Sequence, residues 1–342
     1  MLELDLYRSM ARQRAVEMAL GELWHRGLVP GEMHLGTGEE AVVAGVLAHR
    51  EPGDRFAIDH RPSTVMTEVG VDPRAILAEC IGREEGLCGG QGGHMHLYSK
   101  EHLAASSGIV GSAGPAAVGF ALAAKVQEPG AVAFAFFGDG AANQGMLLES
   151  LNLASAWSLP VLFVCKDNGW AIATRTAEVT GGDLRARAQA FGLAADEVDG
   201  GDATMVWSAA ATLLARVRTG KGPAFLLAHV PRLDGHLLGD PLVRMAKKPL
   251  TEGGATTRDL LRGLFGRKGS GLGGRAKSVG HLLGLMASAR GAERGNRQDP
   301  LVRLAKRLEG HRDEVSAIDE EVLLPVADAL RAVAGDDQEE AA

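Results

Sequence analysis

The sequence predicts an α/β protein: a doubly wound parallel sheet flanked by helices, followed by a helical C-terminal region. Three observations carry this. Residues 131–137 and 161–165 are continuous apolar runs of strand length, the pattern of strands buried on both faces. Helical patterns at 113–126 and 143–156 alternate with them through short connections. Both runs end in compact turns, Gly138-Asp139-Gly140 and Asp167-Asn168-Gly169, at the carboxyl ends of the strands, where open α/β sheets bind ligands.

The elements follow in chain order. Residues 3–27 place Leu6, Met10, Val16, Leu20, Leu23 and Trp24 at helical spacing and stop at Gly27. A second helix is expected over 39–49, before the turn Glu51-Pro52-Gly53-Asp54, and a third over 73–82, opened by Asp72-Pro73. Residues 86–93 hold five glycines in eight positions, too flexible for regular structure; they either let backbone approach a ligand or form a surface loop. After the two strands, a helix at 203–218 and a strand at 224–229 extend the sheet. Residues 300–334 return to helical spacing, and the end, GDDQEEAA, reads as a frayed acidic tail.

Composition narrows the function. Of 342 residues, 46 are glycine, about double ordinary use, while 46% apolar content supplies a core. A net charge of −7 argues against nucleic-acid binding by the whole surface. No apolar run approaches the roughly 18 residues of a membrane span, and the charged amphipathic start is unlike a signal peptide, so a soluble, cytoplasmic protein is expected. Cys80, Cys88 and Cys165 support neither a disulfide framework nor a cysteine zinc site and read as buried, inert thiols.

Asp139 and Asn168 stand 29 residues apart at consecutive strand ends. A carboxylate and an amide oxygen are hard donors that suit Mg²⁺, which completes its shell with phosphate and water. Glycines around Asp139 allow close backbone approach, and the next helix aims its N-terminal amides at an anion. Either turn alone is ordinary; the pair describes a metal-bridged diphosphate site.

GDGAANQG (138–145) followed by KDNGWA (166–171) resembles the thiamine diphosphate motif. From about residue 4 to 245 the chain resembles the α subunit of the decarboxylating component of 2-oxo acid dehydrogenase complexes, in the pyruvate and acetoin branch. MHLGTGEEA (33–41), HRPS (60–63), GGHMH (92–96), GIVGSAGPAA (108–117), ESLNLASAW (149–157), VDGGD (198–202) and GHLLGDP (235–241) occur in the family's order. The resemblance implies the thiamine diphosphate-binding fold, with Asp139, Asn168 and the main-chain carbonyl of Trp170 as Mg²⁺ ligands. Gly140 and Ala141 would face the diphosphate with backbone amides, Arg61 would bind it with its forked donors, and Gly108 and Val110 would hold the aminopyrimidine. His60 falls where relatives have Tyr or His and is counted with the cofactor residues. His34 and His236 fall on active-site positions, His236 also near the cofactor; imidazoles there can stabilise charge or move protons. His96 is assigned no chemistry.

The resemblance further implies a β subunit supplying the carboxylate that activates the cofactor, an α2β2 assembly, and transfer of a two-carbon unit from pyruvate or acetoin to a lipoyl-bearing acyltransferase. Two positions depart from the pattern. Ser63 stands where relatives usually carry His, and Leu237 where regulated relatives carry a phosphorylated Ser. DPLVRMAKK (240–248) recurs as DPLVRLAKR (299–307), around a segment, 258–297, with nine basic and two acidic residues. GLGGRAKSVGHL (271–282) also echoes GLCGGQGGHMHL (86–97) faintly. The organisation expected is an α/β domain at 1–245, a basic Gly/Arg-rich insertion at 246–298 and a helical segment with acidic tail at 299–342. The basic segment either grips an acidic partner or is a loop. Alternatives to the leading function are a branched-chain 2-oxo acid enzyme, a noncatalytic subunit that keeps the fold, and a nucleic-acid module built on the basic insert.

Overall fold

The computed structural model describes residues 1–239 and 298–335. The repeat copy at 240–248, the basic segment 258–297, its echo at 271–282 and the acidic end beyond Gly335 lie outside the described residues, as does the expected insertion except Gln298.

Two helices open the chain, α1 (Leu2–His25) and α2 (Glu40–Leu47). Gly27 ends α1 as expected: at φ 76° its amide donates to Trp24 O, and Leu28 N donates to Leu23 O, a double closure that suits glycine. Strand β1 (Arg55–Ile58), α3 (Ser63–Val69) and α4 (Pro73–Cys80) follow, with Asp72 capping α4 through Arg74 N. Short strands β2 (Tyr98–Ser99) and β3 (Ala104–Ser106) precede α5 (Ala113–Gln127). The predicted strands become β4 (Ala133–Gly138) and β5 (Val161–Asp167), separated by α6 (Gly145–Ala156). A 3₁₀ turn, Ala141–Asn143, occupies the first residue expected in α6.

A small ribbon of β6 (Trp170–Ala171) and β7 (Thr174–Arg175) leads to α7 (Thr176–Val179) and α8 (Leu184–Ala190). Then come β8 (Ala194–Asp199), α9 (Ala203–Arg218) and β9 (Ala224–His229). Beyond the undescribed stretch stand α10 (Pro300–Arg307) and α11 (Arg312–Ala334).

The sheet runs β2-β3-β1-β4-β5-β9-β8, parallel throughout except for the edge strand β2. Alternation along β4 divides the core. Phe134 and Phe136 pack with α1, α2, α9 and α11, while Ala133, Ala135 and Phe137 pack with α5, α6 and α8. Burying such side chains on both faces contributes about 1.5–3 kcal/mol each for the larger ones. A third cluster joins the start of α1 to α2, α10 and α11. Arg14 fastens that junction: Nε lies 2.5 Å from Glu40 Oε1, and its two terminal nitrogens reach the Asp299 carboxylate at 2.9 and 3.1 Å. Asp299 also caps α10 through Leu301 N, so its Asp-Pro signal marks a helix start held against the N-terminal helices.

Two expectations need correction. The glycine-rich loop 86–93 is irregular but held. The buried Glu79 carboxylate accepts from Cys88 N (2.6 Å), Gly90 N (3.0 Å) and Gly92 N (2.6 Å). A Cβ on Gly92 would come within 2.2 Å of His96 O, so this close winding requires glycine. Cys80 and Cys165 are buried, and burial pushes both thiols up, but Cys88 is only partly covered.

Candidate cofactor cavity at the strand ends

The turns after β1, β4 and β5, three neighbouring strands, open on one cavity of about 250 Å³. All ten residues assigned above to cofactor contact line it: His60, Arg61, Gly108, Val110, Asp139, Gly140, Ala141, Asn168, Trp170 and His236. His34 stands just behind them, its ring centroid 4.9 Å from that of His60 and 4.7 Å from that of His236. The loop glycines Gly89, Gly90, Gly92 and Gly93 do not line the cavity; they shape the neighbouring loop that carries His94.

Asp139 and Asn168 come together because β4 and β5 pair in parallel with Gly138 opposite Lys166. Asp139 is 1% exposed. Burial pushes its carboxyl up to about 6; the Thr176 hydroxyl, which donates to Oδ2, works against this, and the Asp167 charge adds to it. Asn168 Oδ1 accepts from Trp170 N at 3.1 Å, which folds the Asp-Asn-Gly turn and brings the Trp170 backbone beside it. The Trp170 ring is flanked by Arg175 and Arg232, whose guanidinium carbons lie 5.4 and 5.5 Å from its centroid. The donor set is thus all oxygen and includes a carboxylate whose pKa burial raises, a fit for a small hard cation. Opposite it Gly140 leaves room: a Cβ there would approach that of Ala171 to 2.9 Å.

Arg61 is a brace as well as a lining residue. Its Nη1 donates to Leu35 O and its Nη2 to His236 O at 2.7 Å, so one guanidinium ties together the segments bearing His34 and His236. Around the histidines burial dominates. It lowers His34 to about 2, helped by the His60 and Arg61 charges, and His60 to about 3 against the pull of Asp59. The sequence reading missed His94, whose Nε2 lies 3.0 Å from His34 Nδ1; burial lowers it to about 4.

It also missed the ion cluster in the cavity wall, where Glu39 and Asp59 line the cavity. Lys166, fully buried, sits 2.6 Å from Glu39 Oε2 and 3.1 Å from Asp59 Oδ2, and Arg61 Nε lies 3.7 Å from Glu39 Oε1. Burial disfavours the Lys166 ammonium, but Asp59 and Glu39 outweigh it and hold its pKa above the ordinary lysine value. A lysine directly after the apolar run VLFVC of β5 was the available signal. Ser63 Oγ donates to the buried Glu17, whose other oxygen accepts from Gly36 N at 2.9 Å, so the departing serine serves a buried carboxylate outside the cavity.

Comparison with known proteins fits this geometry. A family profile described as dehydrogenase E1 component matches residues 8–261. The chain belongs to the dehydrogenase E1 component family. This E1 chain is 41% identical over 266 residues to the α subunit of acetoin:2,6-dichlorophenolindophenol oxidoreductase of Cupriavidus necator, covering 77% of the chain and 79% of that protein. It is 39% identical over 241 residues to the pyruvate dehydrogenase E1 component α subunit of Zymomonas mobilis, covering 70% and 68%. The Bacillus subtilis acetoin protein of the same name as the first is 40% identical over 237 residues, covering 69% and 71%. Among the described residues of the E1 chain, no helix is long and apolar enough to cross a membrane.

Proposed function

We propose that the chain is the α subunit of a thiamine diphosphate-dependent dehydrogenase that cleaves pyruvate or acetoin beside the carbonyl and passes the two-carbon unit to a lipoyl-bearing acyltransferase. The observation that carries this is the convergence on one cavity of every residue the family motifs assign to the cofactor. When bound, thiamine diphosphate supplies the electron sink for breaking the carbon–carbon bond. Asp139, the Asn168 amide oxygen and the Trp170 carbonyl would hold Mg²⁺, and the Gly140 and Ala141 amides with Arg61 would hold the diphosphate. Gly108 and Val110 would seat the aminopyrimidine. His34 and His236, on loops braced by Arg61, would hold or move protons at the substrate oxygen, in the neutral form that burial favours for His34.

A β-type partner, in an α2β2 assembly, is supported by the cavity rim. Ile109 and Val110, 63% and 51% exposed, and Ile172, 64% exposed, line the cavity yet face outward, apolar surface that a second subunit would cover. The cavity-bearing part would be residues 1–245, with 246–298 an insertion and 299–342 a C-terminal segment; the location would be cytoplasmic.

The test is co-expression with the β-type partner, addition of Mg²⁺ and thiamine diphosphate, and assay of pyruvate, acetoin and branched 2-oxo acids with an artificial electron acceptor. Turnover of pyruvate or acetoin is expected. A well-formed, cofactor-loaded assembly without turnover on any of them overturns the enzymatic reading, and Mg²⁺-dependent cofactor binding that survives Asp139→Ala overturns the site assignment.

A further inference from the structure

Next to the oxygen donors lies a nitrogen-donor cluster, two of its histidines lining the same cavity and the third just behind them. His34 precedes α2, His60 follows β1 and His236 follows β9, and a ring nitrogen of each lies within 4.8 Å of the other two. Among the described residues, Nε2 of His60 is buried without a hydrogen-bond partner. His34 Nδ1 pairs with His94 Nε2 at 3.0 Å, so with its proton on Nδ1 the Nε2 lone pair of His34 is left as a donor, oriented from behind as metal-binding imidazoles are. Three nitrogens around a tetrahedral Zn²⁺ at roughly 2.0–2.1 Å stand ~3.3 Å apart, within reach of ring rotations from the present spacing. The cations Arg61 and Lys166 are balanced by Glu39 and Asp59, so the neighbourhood does not repel a divalent ion.

We propose that His34, His60 and His236 form a site for a borderline transition-metal ion such as Zn²⁺ or Co²⁺, separate from the oxygen site at Asp139, and that its occupation closes the cavity to thiamine diphosphate. Imidazole donors select these ions, whereas Mg²⁺ takes oxygen. The exclusion of cofactor rests on the proposed function; the binding of the ion does not.

The experiment uses the full chain without a polyhistidine tag, assembled with its β-type partner and stripped with chelator. Co²⁺ is titrated by visible absorption, and thiamine diphosphate with Mg²⁺ by calorimetry on the same samples. One Co²⁺ per chain is expected with the intense bands of tetrahedral coordination, resistant to roughly 100-fold excess Mg²⁺. His60→Gln and His34→Gln should abolish these bands, and His94→Gln should weaken the site about 10- to 100-fold. Asp139→Asn should leave it intact. Stoichiometric Zn²⁺ should weaken cofactor binding at least about tenfold.

Absence of tetrahedral bands in wild-type chain that is folded by circular dichroism, or equal Co²⁺ affinity in folded His60→Gln, overturns the site. Independent binding of Zn²⁺ and cofactor overturns the exclusion. An intact Co²⁺ site in the partnered chain that never binds thiamine diphosphate counts against the proposed function alone.

Discussion

Glu79→Gln tests whether a single buried carboxylate holds the loop that presents His94. In the native chain one oxygen accepts from Cys88 N and Gly90 N and the other from Gly92 N. Glutamine keeps one acceptor oxygen and turns an amine toward the remaining donors, so one or two hydrogen bonds to a charged group are lost. At about 1.5–3 kcal/mol each, the loss is about 1.5–6 kcal/mol, within the stability of a folded domain at its lower end. Hydrogen exchange of the peptide spanning residues 86–93, followed by mass spectrometry, reads the effect locally. The amides of Cys88, Gly90 and Gly92 should exchange at least about tenfold faster, since roughly 1.4 kcal/mol is a factor of ten. Exchange in 86–93 that is unchanged while the whole chain loses stability would refute the reasoning, because the carboxylate would then be a general core group and not the anchor of the loop.

Other consequences are as direct. Arg61→Lys replaces a fork with a point charge that cannot serve Leu35 O and His236 O together; cofactor affinity should fall roughly 10- to 150-fold by calorimetry, the equivalent of about 1.5–3 kcal/mol. The Asp167 hydrogen bond, with Glu197 adding and burial opposing, raises His229 to about 9, so its contribution is present in full below the unfolded value of about 6.5 and is lost as pH rises through about 9. His229→Gln should therefore flatten the dependence of Tm on pH between those limits, and, because His229 helps hold the Asp167 carboxyl below its ordinary value, should also change the acid-side dependence. Asp299→Ala removes the cap of α10 and the fork partner of Arg14, and should cost about 2–4 kcal/mol in urea unfolding; a loss no greater than the ~1 kcal/mol of a cap alone would show that Arg14 is content with Glu40.

The legible parts of the fold were those with local causes. β4 and β5 could be read because strands covered on both faces are apolar without interruption, and α9 because it matches its period from Ala203 to Arg218. β8 was hidden: as an edge strand it mixes Asp196 and Glu197 with small residues and carries no apolar run. β1 was hidden by being only four residues long. Within the cavity, Asp139 and Asn168 stood out because glycines punctuate both turns. The Lys166 cluster did not, since its bond to Glu39 spans 127 positions and joins the end of β5 to the start of α2. His94 was missed for a related reason: its role depends on how Glu79 winds the loop, and glycine spacing does not encode that.

The outward-facing Ile109, Val110 and Ile172 make the cavity a room with one wall left to be supplied. With the β-type partner proposed above over that rim, how long any occupant stays would be governed less by the contacts this chain makes than by the dissociation rate of that partner. Such an arrangement would couple the lifetime of the cofactor to the lifetime of the partnership, and loading and assembly would become one kinetic event.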